Sequence, residues 1–413
     1  CECIIKKYCG KVLAERDARC GSTNGERTRI MQREKFGSRL GFLLLSAGCA
    51  IGIGNVWRFP YVVGQNGGGL FVLLYVFFLA VVGIPVLTME FAIGRASRKS
   101  CIKAYQELEP KGSKWHWHGI FAMLGNYVLM AFYTTVAGWM LYYFYRFLIG
   151  EMSGLDKAGI DNAFSGMLGQ PVTMTIWMLI IVVLGFVICS FGLQKGVERI
   201  TKWMMVALLV IMVVLAVNSL FLPGASEGIR FYLVPDLSKV QETGILGTIT
   251  AAMNQSFFTL SLGIGAMLIF GSYLGRERRL LGESINIAIL DTFVAFVSGL
   301  IIFPACFAYD VPVDSGPPLI FMTLPNVFNS MAAGRVWGTL FFLFMSFASF
   351  STIVAVFENI LACTIDLSGW SRKKAALVNG IIVAIISMPC ILGYNVWSGF
   401  VPSEAGTAVL DLE

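Results

Sequence analysis

Long apolar runs separated by short polar segments dominate the chain from residue 39 to residue 394. Each run is long enough to cross a bilayer core of about 30 Å as a helix. Residues 1–32 are polar and basic, and we expect them to be disordered or non-native sequence outside the folded unit. The pattern predicts one unit over residues 33–413, with nine complete spans and the start of a tenth where the chain ends. The predicted spans are 39–65, 69–95, 119–149, 172–193, 199–222, 244–270, 283–308, 335–366 and 374–394.

Composition supports a multi-pass membrane protein. Of the 413 residues, 56% are hydrophobic and 14% charged, and the mean hydropathy is +0.74. A soluble domain carries about 25% charged residues. The net charge of +6 does not indicate nucleic acid as a partner, because the basic residues are scattered through short loops. The expected surroundings are a lipid bilayer. The spans show no nucleophile–base set or metal cluster, so we do not expect an enzyme.

Loop charge predicts the orientation. Basic residues crowd the N-terminal segment and four of the loops: 94–103, 194–202, 275–279 and 371–374. The intervening loops 150–161 and 309–316 are acidic or neutral. Because cytoplasmic loops carry an excess of Lys and Arg, this alternation predicts a cytoplasmic N-terminus in the plasma (inner) membrane.

The first apolar run is interrupted at mid-membrane depth by the sequence GCAIGIGNVWRFP, residues 48–60. Glycine and proline weaken a helix, and a charged arginine is costly in hydrocarbon. Non-helical backbone at this depth is tolerated only where it is buried in protein or lines a cavity. The free carbonyl groups of such a break can hold a cation, and the free N–H groups of the next half-helix can hold an anion. The run therefore predicts a binding site.

A second interruption lies five spans later, in QSFFTLSLGIGAM, residues 255–267. Two broken segments at matching positions of two halves are typical of inverted-repeat transporters. The alternative is a small-residue face for helix packing. That alternative explains the glycines but leaves four polar residues beside them unexplained: Asn55, Arg58, Thr259 and Ser261.

Six motifs, in order along the chain, resemble the neurotransmitter:sodium symporter family. They read GCAIGIGNVWRFPYVVGQNGGG, GIPVLTMEFAIGR, FYTTVAGW, QSFFTLSLGIGAM, LDTFVAFVSGLIIFP and FASFSTIVAVFEN. The resemblance implies an all-α bundle of the LeuT type, with inverted repeats and discontinuous first and sixth membrane helices. It also implies a bacterial-like symporter that imports an amino acid with Na⁺ by alternating access.

The resemblance implies two sodium sites, since Na⁺ prefers oxygen ligands. The first would use the Ala50 carbonyl, the Asn55 and Thr259 side chains, and Asp291, an ionisable group in the middle of an apolar span. An aspartate there can also be a helix cap or a snorkelling residue. Because Asp291 supplies a negative charge, we expect no requirement for chloride.

The second sodium site would use backbone carbonyl groups of the first and eighth spans and two adjacent hydroxyl groups. A Ser-Thr pair alone is uninformative, because it often bonds back to the i−4 carbonyl of its own helix. The resemblance to the family supports a sodium site at this pair, although the order of the two hydroxyl residues is swapped in this chain. The expected ligands are Gly48, Ile51, Ala348, Ser351 and Thr352.

An amino-acid substrate needs partners for its carboxylate, its ammonium and its side chain. Backbone N–H groups and the Tyr133 hydroxyl would bind the carboxylate, and carbonyl groups with the Ser261 hydroxyl would bind the ammonium. The side chain would face Leu129, Phe258, Ile264 and Val356, which favours a neutral hydrophobic or aromatic substrate. Gly52 stands where amine carriers of the family have an aspartate. The full predicted set is Cys49, Ala50, Ile53, Gly54, Leu129, Tyr133, Phe258, Thr259, Ser261, Ile264, Thr352 and Val356.

Charged residues at the two membrane faces resemble the family's gates. Arg58 resembles the extracellular-gate arginine, whose acidic partner would fall just past Glu413. Arg33 and Asp366 resemble the cytoplasmic pair, with Phe36 in the place of a gate tryptophan. Each charge could equally anchor the protein at the membrane interface.

Two further features concern the broken helices and the fifth span. Glu90, inside the second span, is expected to accept N–H groups from the broken helices. The family's Gly-x9-Pro element reads Gly196 to Val206 in this chain. Since that proline helps the fifth span to unwind, the inward-opening step is expected to differ.

Two alternatives to a symporter remain open at this point. A chain without its tenth span could be a transport-inactive fragment or a binding-only sensor. A cation channel is the other alternative, although channels use symmetric filters or charged rings.

Overall fold

The computed structural model describes residue 34 and residues 36–236, 244–309 and 318–399. The predicted segment 1–32, the gate residue Arg33 and the C-terminal end from residue 400 lie outside this part of the chain. The helices are α1 (Arg39–Ala50), α2 (Gly54–Gln65), α3 (Gly69–Ser97), α4 (Cys101–Leu108), α5 (His116–Ile149), α6 (Lys157–Leu168), α7 (Pro171–Ser190), α8 (Leu193–Leu220), α9 (Ala225–Leu233), α10 (Ile245–Thr259), α11 (Ala266–Tyr273), α12 (Leu280–Ala308), α13 (Leu324–Ser330), α14 (Gly334–Ser368) and α15 (Arg372–Leu392).

Seven helices in the described residues are long and apolar enough to cross a membrane: α3, α5, α7, α8, α12, α14 and α15. The predicted first span is a pair, α1 and α2, with an angle of 54° between its halves. The predicted sixth span is also divided, into α10 and α11, and each half is too short to count as a membrane-length helix. The interruptions predicted from glycine and polar residues are therefore present in the backbone.

The first break follows from the sequence at residues 51–53. The last helical bond of α1 runs from the Ile51 N–H to the Ala47 carbonyl, at 2.6 Å. Ile51 then adopts an extended conformation, with ψ of 95°. The chain resumes at Gly54 with a π-helical turn to Arg58. Because the break interrupts the i→i−4 pattern, carbonyl groups at the end of α1 are left for side chains or ions.

The second break spans residues 260–265 and depends on left-handed backbone. Gly263 and Gly265 have φ of +86° and +79°, which glycine adopts without a steric penalty. Ser261 also has a positive φ, of +51°. Such a conformation is uncommon for a residue with a side chain and clusters at functional sites.

The helix α14 lies at the centre of the molecule and is the most buried of the membrane-length helices. It packs along α5 and also contacts α1, α7 and α8. On the opposite side of the breaks, α3 packs against α10 and α11, and α12 packs against α1 and α2. The two broken helices are thus flanked by continuous helices, and the irregular residues 51–53 of the first break are buried in the protein.

The fifth span begins with a π-helical turn, Leu193–Glu198, and α8 continues through Val206 to Leu220. The Glu198 carboxylate accepts hydrogen bonds from the N–H groups of Gly37 and Ser38, at 2.8 and 3.1 Å. The start of α8 is therefore tied to the two residues that precede α1.

Candidate functional site

The two breaks meet α5 and α14 around a cavity of about 390 Å³. Nine of the twelve predicted substrate residues line it, together with three that sequence reasoning missed. The lining residues are Cys49, Ala50, Gly54, Gly125, Val128, Leu129, Tyr133, Phe258, Ser261, Leu262, Ile264 and Thr352.

Three predicted residues lie beside the cavity and do not line it: Ile53, Thr259 and Val356. All three are buried, and Val356 packs into the hydrophobic core. The missed residues carry two different signals. Gly125 lies three residues before Val128 and four before Leu129, so one face of α5 could have indicated both missed residues. Leu262 lies in the second break, where no periodicity applies.

One end of the cavity is polar because α2 begins there. The Ile53 N–H donates to the Tyr133 hydroxyl oxygen at 2.8 Å, just before the first turn of α2. The N-terminus of a helix presents free N–H groups and a partial positive charge, which favours an anion. At the same end, the Ser261 hydroxyl donates to the Cys49 carbonyl oxygen at 3.1 Å. This end can hold a carboxylate beside Tyr133 and a donor group beside the Cys49 carbonyl.

Gly52 leaves no room for a side chain. A Cβ atom placed on Gly52 would lie 2.2 Å from the Tyr133 hydroxyl oxygen and 2.5 Å from the Thr352 hydroxyl oxygen. The absence of an acid at this position therefore has a local steric reason.

A buried oxygen cluster lies behind the cavity, where the break between α1 and α2 faces α10 and α12. The Asn55 amide donates to Asp291 Oδ1 at 2.7 Å, and the Thr259 hydroxyl donates to Asp291 Oδ2 at 2.8 Å. The Tyr75 hydroxyl, which the sequence analysis missed, lies 3.4 Å from the same carboxylate. Asn55 Oδ1 is buried and has no hydrogen-bond partner among the described residues. A carboxylate, a hydroxyl and a free amide oxygen fit a hard cation such as Na⁺ as cargo.

A second oxygen cluster joins α1 to α14. The hydroxyl groups of Ser351 and Thr352 both lie 3.1 Å from the Gly48 carbonyl oxygen. Thr352 also reaches the Ile51 carbonyl oxygen at 3.3 Å. Ser351 also bonds to the Ala348 carbonyl oxygen, three residues earlier, at 2.9 Å. Thr352 lies 3.5 Å from the same oxygen, which is the i−4 contact that the alternative for a Ser-Thr pair expected. The two hydroxyl groups thus link all five residues of the predicted second site and bring five oxygen atoms together.

The predicted gate residues have partners of several kinds. Arg58 Nη1 donates to Gln255 Oε1 at 2.8 Å, and its guanidinium lies 4.2 Å from the centre of the Phe258 ring. Phe258 lines the cavity and Arg58 does not, so Arg58 meets the cavity wall through this ring. At the other face, Asp366 Oδ2 accepts a hydrogen bond from the Ser100 N–H at 2.7 Å. Its predicted partner Arg33 lies outside the described residues.

Glu90 behaves as the sequence indicated for one of the two breaks. Its Oε1 atom accepts a hydrogen bond from the Gly263 N–H at 2.6 Å. This bond satisfies a backbone donor that the interrupted helix cannot pair, and it holds the second break against α3.

Comparison with known proteins agrees with this architecture. The model of the Sodium:neurotransmitter symporter family matches residues 33–155 and 160–404. An uncharacterized sodium-dependent transporter of Bacillus subtilis (strain 168), YhdH, is 34% identical over 364 residues, which are 88% of this chain and 80% of that protein. An uncharacterized sodium-dependent transporter of Methanocaldococcus jannaschii, MJ1319, is 34% identical over 382 residues, covering 86% of this chain and 75% of the relative.

A solved structure extends the agreement to the fold. The crystal structure of MhsT in complex with L-phenylalanine superposes with a TM-score of 0.84 at 36% sequence identity, covering 92% of this chain and 85% of that one. The predicted LeuT-type bundle is confirmed by this match. The prediction of a transporter with no enzymatic reaction is confirmed by the family. The chain belongs to the sodium:neurotransmitter symporter family and is a multi-pass, sodium-coupled membrane transporter.

Proposed function

We propose that this protein imports a neutral hydrophobic or aromatic amino acid together with Na⁺, by alternating access around the cavity between the two breaks. The observation that carries the proposal is the composition of the cavity wall. One end presents the Tyr133 hydroxyl, the start of α2 and the Cys49 carbonyl, and the rest is apolar, with Leu129, Phe258 and Ile264 among its residues. This arrangement suits a carboxylate and an ammonium next to an uncharged side chain.

The size and chemistry of the cavity support this substrate class. A volume of about 390 Å³ lies within the range of small-molecule sites, which are mostly apolar with a few polar groups that fix orientation. The solved relative MhsT was crystallised with L-phenylalanine, a molecule of the proposed class.

We propose two sodium sites, one at each oxygen cluster. The first consists of Ala50, Asn55, Thr259 and Asp291, and it lies against the carboxylate end of the cavity. The second consists of Gly48, Ile51, Ala348, Ser351 and Thr352. Each cation that enters across a potential of 100 mV releases about 2.3 kcal/mol, which drives substrate uptake. Chloride is not required in this proposal, because Asp291 supplies the charge beside the first site.

The proposed location is the plasma (inner) membrane with a cytoplasmic N-terminus, on the basis of loop charge. Arg58 with Phe258 would then close the outer side of the cavity, and Asp366 would lie at the cytoplasmic side.

Uptake into vesicles tests the proposal. The protein is reconstituted into vesicles, and labelled phenylalanine is added outside. One sample has an inward Na⁺ gradient, and the other has K⁺ in place of Na⁺. Concentrative uptake only with the Na⁺ gradient supports symport. Binding without uptake would identify a sensor or an inactive fragment. Rapid cation flux without amino acid would identify a channel.

A further inference from the structure

The backbone of the second break contains one carbonyl group that two side chains hold in place. Ile264 precedes α11, so its carbonyl oxygen lies outside the regular helical hydrogen-bond pattern. The Asn126 amide of α5 donates to this oxygen at 2.7 Å, and the Asn359 amide of α14 donates to it at 3.1 Å. Two continuous helices, α5 and α14, therefore bind the same carbonyl group of the irregular segment.

The orientation of the Asn126 amide follows from its neighbours. Its nitrogen also donates to the Ala122 carbonyl oxygen, at 2.6 Å. Both acceptors are carbonyl groups, so a flipped amide would place its oxygen against two other oxygens. The Asn126 oxygen is buried and has no hydrogen-bond partner among the described residues. A buried amide that uses both of its hydrogens while its oxygen stays unpaired is held in one orientation for its donors.

The two asparagine side chains lie behind a residue that lines the cavity, Ile264. Asn126 and Asn359 are fully buried. On the preceding residue of the segment, the Gly263 N–H donates to Glu90 of α3, so three helices fix two successive residues. Ile264 itself lines the cavity, as does Leu262 two residues earlier. The distance between this wall and α5 across the cavity is thus set by side chains that do not touch the cavity themselves.

We infer that Asn126 and Asn359 are positioning residues. They fix the part of the cavity wall formed by Leu262 and Ile264, here called the Ile264 wall, and thereby select substrates by the size of their side chains. This inference rests on the proposed function, since it concerns the apolar end of the same cavity. It adds which contacts set the selectivity. Hydrogen bonds from α5 and α14 to the Ile264 carbonyl fix the position of the Ile264 side chain, and that position determines how large a substrate side chain fits.

Isosteric replacement tests the inference. Asn126→Leu and Asn359→Leu each remove one amide and keep the number of side-chain heavy atoms. Either single variant should fold, because the other amide still donates to the Ile264 carbonyl. The measurement is Na⁺-dependent displacement of labelled phenylalanine from the full chain in detergent, by unlabelled valine, leucine, phenylalanine and tryptophan. The ratio of the valine to the tryptophan dissociation constant should change by about fivefold or more, since one methylene in an apolar pocket is worth about tenfold or more.

Asn379→Leu is the matched control. Asn379 is buried and donates to the Ala375 carbonyl oxygen four residues earlier, as Asn126 does to Ala122, but it bonds to Thr364 and Tyr127 and not to the second break. The ratio of the valine to the tryptophan dissociation constant of Asn379→Leu should equal that of the unaltered protein, even if the melting temperature of the variant falls. Ile264→Ala provides a second route, because it moves the same wall directly and should change the same ratio.

The outcomes distinguish a failure of the proposed function from a failure of the role assigned to Asn126 and Asn359. If the unaltered protein binds no amino acid in Na⁺, the proposed function fails and the inference with it. If the unaltered protein binds, but both asparagine variants keep its ratio or lose affinity equally for all four amino acids, the inference is overturned and the proposed function stands. If Ile264→Ala leaves the ratio unchanged, the wall does not select and the inference is likewise overturned.

Discussion

Adding one methyl group at Gly52 should disable the site, and the reason is space alone. Gly52 is not among the residues with positive φ, so alanine meets no backbone penalty there. Its Cβ atom would, however, lie 2.2 Å from the Tyr133 hydroxyl oxygen and 2.5 Å from that of Thr352. Both oxygens must retreat by about 1 Å to reach ordinary contact distances, and overpacking of this kind typically costs about 1–3 kcal/mol.

The magnitude follows from which oxygens move. Tyr133 belongs to the carboxylate end of the cavity, and Thr352 belongs to the second oxygen cluster. We therefore expect Gly52→Ala to weaken Na⁺-dependent phenylalanine binding by about tenfold to a hundredfold, since about 1.4 kcal/mol corresponds to tenfold. Equilibrium binding in Na⁺ measures the loss. Gly282→Ala, where a Cβ atom meets nothing within 4 Å, is the control and should bind normally.

A double-mutant cycle identifies the cause. Tyr133→Phe removes the hydroxyl that crowds the new methyl group, although it also removes the partner of the Ile53 N–H. If the clash is the cause, Gly52→Ala should cost less in the Tyr133→Phe background than alone, with a coupling of about 1 kcal/mol or more. Normal binding by Gly52→Ala, or strictly additive losses, would refute the steric argument.

Three other predictions concern the ions and the substrate. Asn55→Ala and Thr352→Ala should each weaken Na⁺-dependent substrate binding by at least about tenfold, or 1.4 kcal/mol, and unchanged Na⁺ dependence in both would contradict the assigned ion sites. Leucine, methionine or an aromatic amino acid should compete for the cavity while tryptamine and tyramine should not, because Gly52 leaves the carboxylate to the substrate; tight amine binding would count against this class. Replacing chloride with gluconate should leave uptake unchanged, since unit charges about 4 Å apart interact by about 4 kcal/mol at an effective dielectric of 20. Asp291→Asn should abolish uptake or make it chloride-sensitive, and a large drop on chloride removal in the unaltered protein would exclude the assigned role of Asp291.

The sequence indicated the broken helices because their signals are local. Glycine, proline and polar residues at mid-membrane depth conflict with a plain helix, so the interruptions at Gly52 and Gly263 could be located within a few residues. The partners of Asn55 could be predicted only through the family resemblance, since Asp291 lies 236 residues away. A spacing pattern cannot specify a contact over that separation.

Other contacts had no sequence signal. Asn126 and Asn359 reach Ile264 over 138 and 95 residues, and each lies in an otherwise ordinary helix. The pairing of Arg58 with Gln255 likewise depends on how α2 and α10 meet. Val356 shows the converse: its place in a matching motif predicted a cavity residue, but in the structure it packs into the core beside the cavity. Local pattern determined where helices break, whereas side-chain partners required the assembled bundle.

The position of the first break explains how ions and substrate can depend on one another. Thr352 lines the cavity and also bonds to the carbonyl groups of Gly48, near the end of α1, and of Ile51, at the start of that break. Asn55, the second residue of α2, bonds to Asp291. A cation at either cluster would order the interrupted segment between α1 and α2, which also borders the cavity, so part of the ordering cost would be met before the substrate arrives. Linkage is reciprocal, so the substrate must raise the affinity for Na⁺ by the factor by which Na⁺ raises the affinity for substrate. With the proposed sites occupied, coupling would need no long pathway, because the same interrupted segment contributes to the proposed ion sites and to the proposed substrate site.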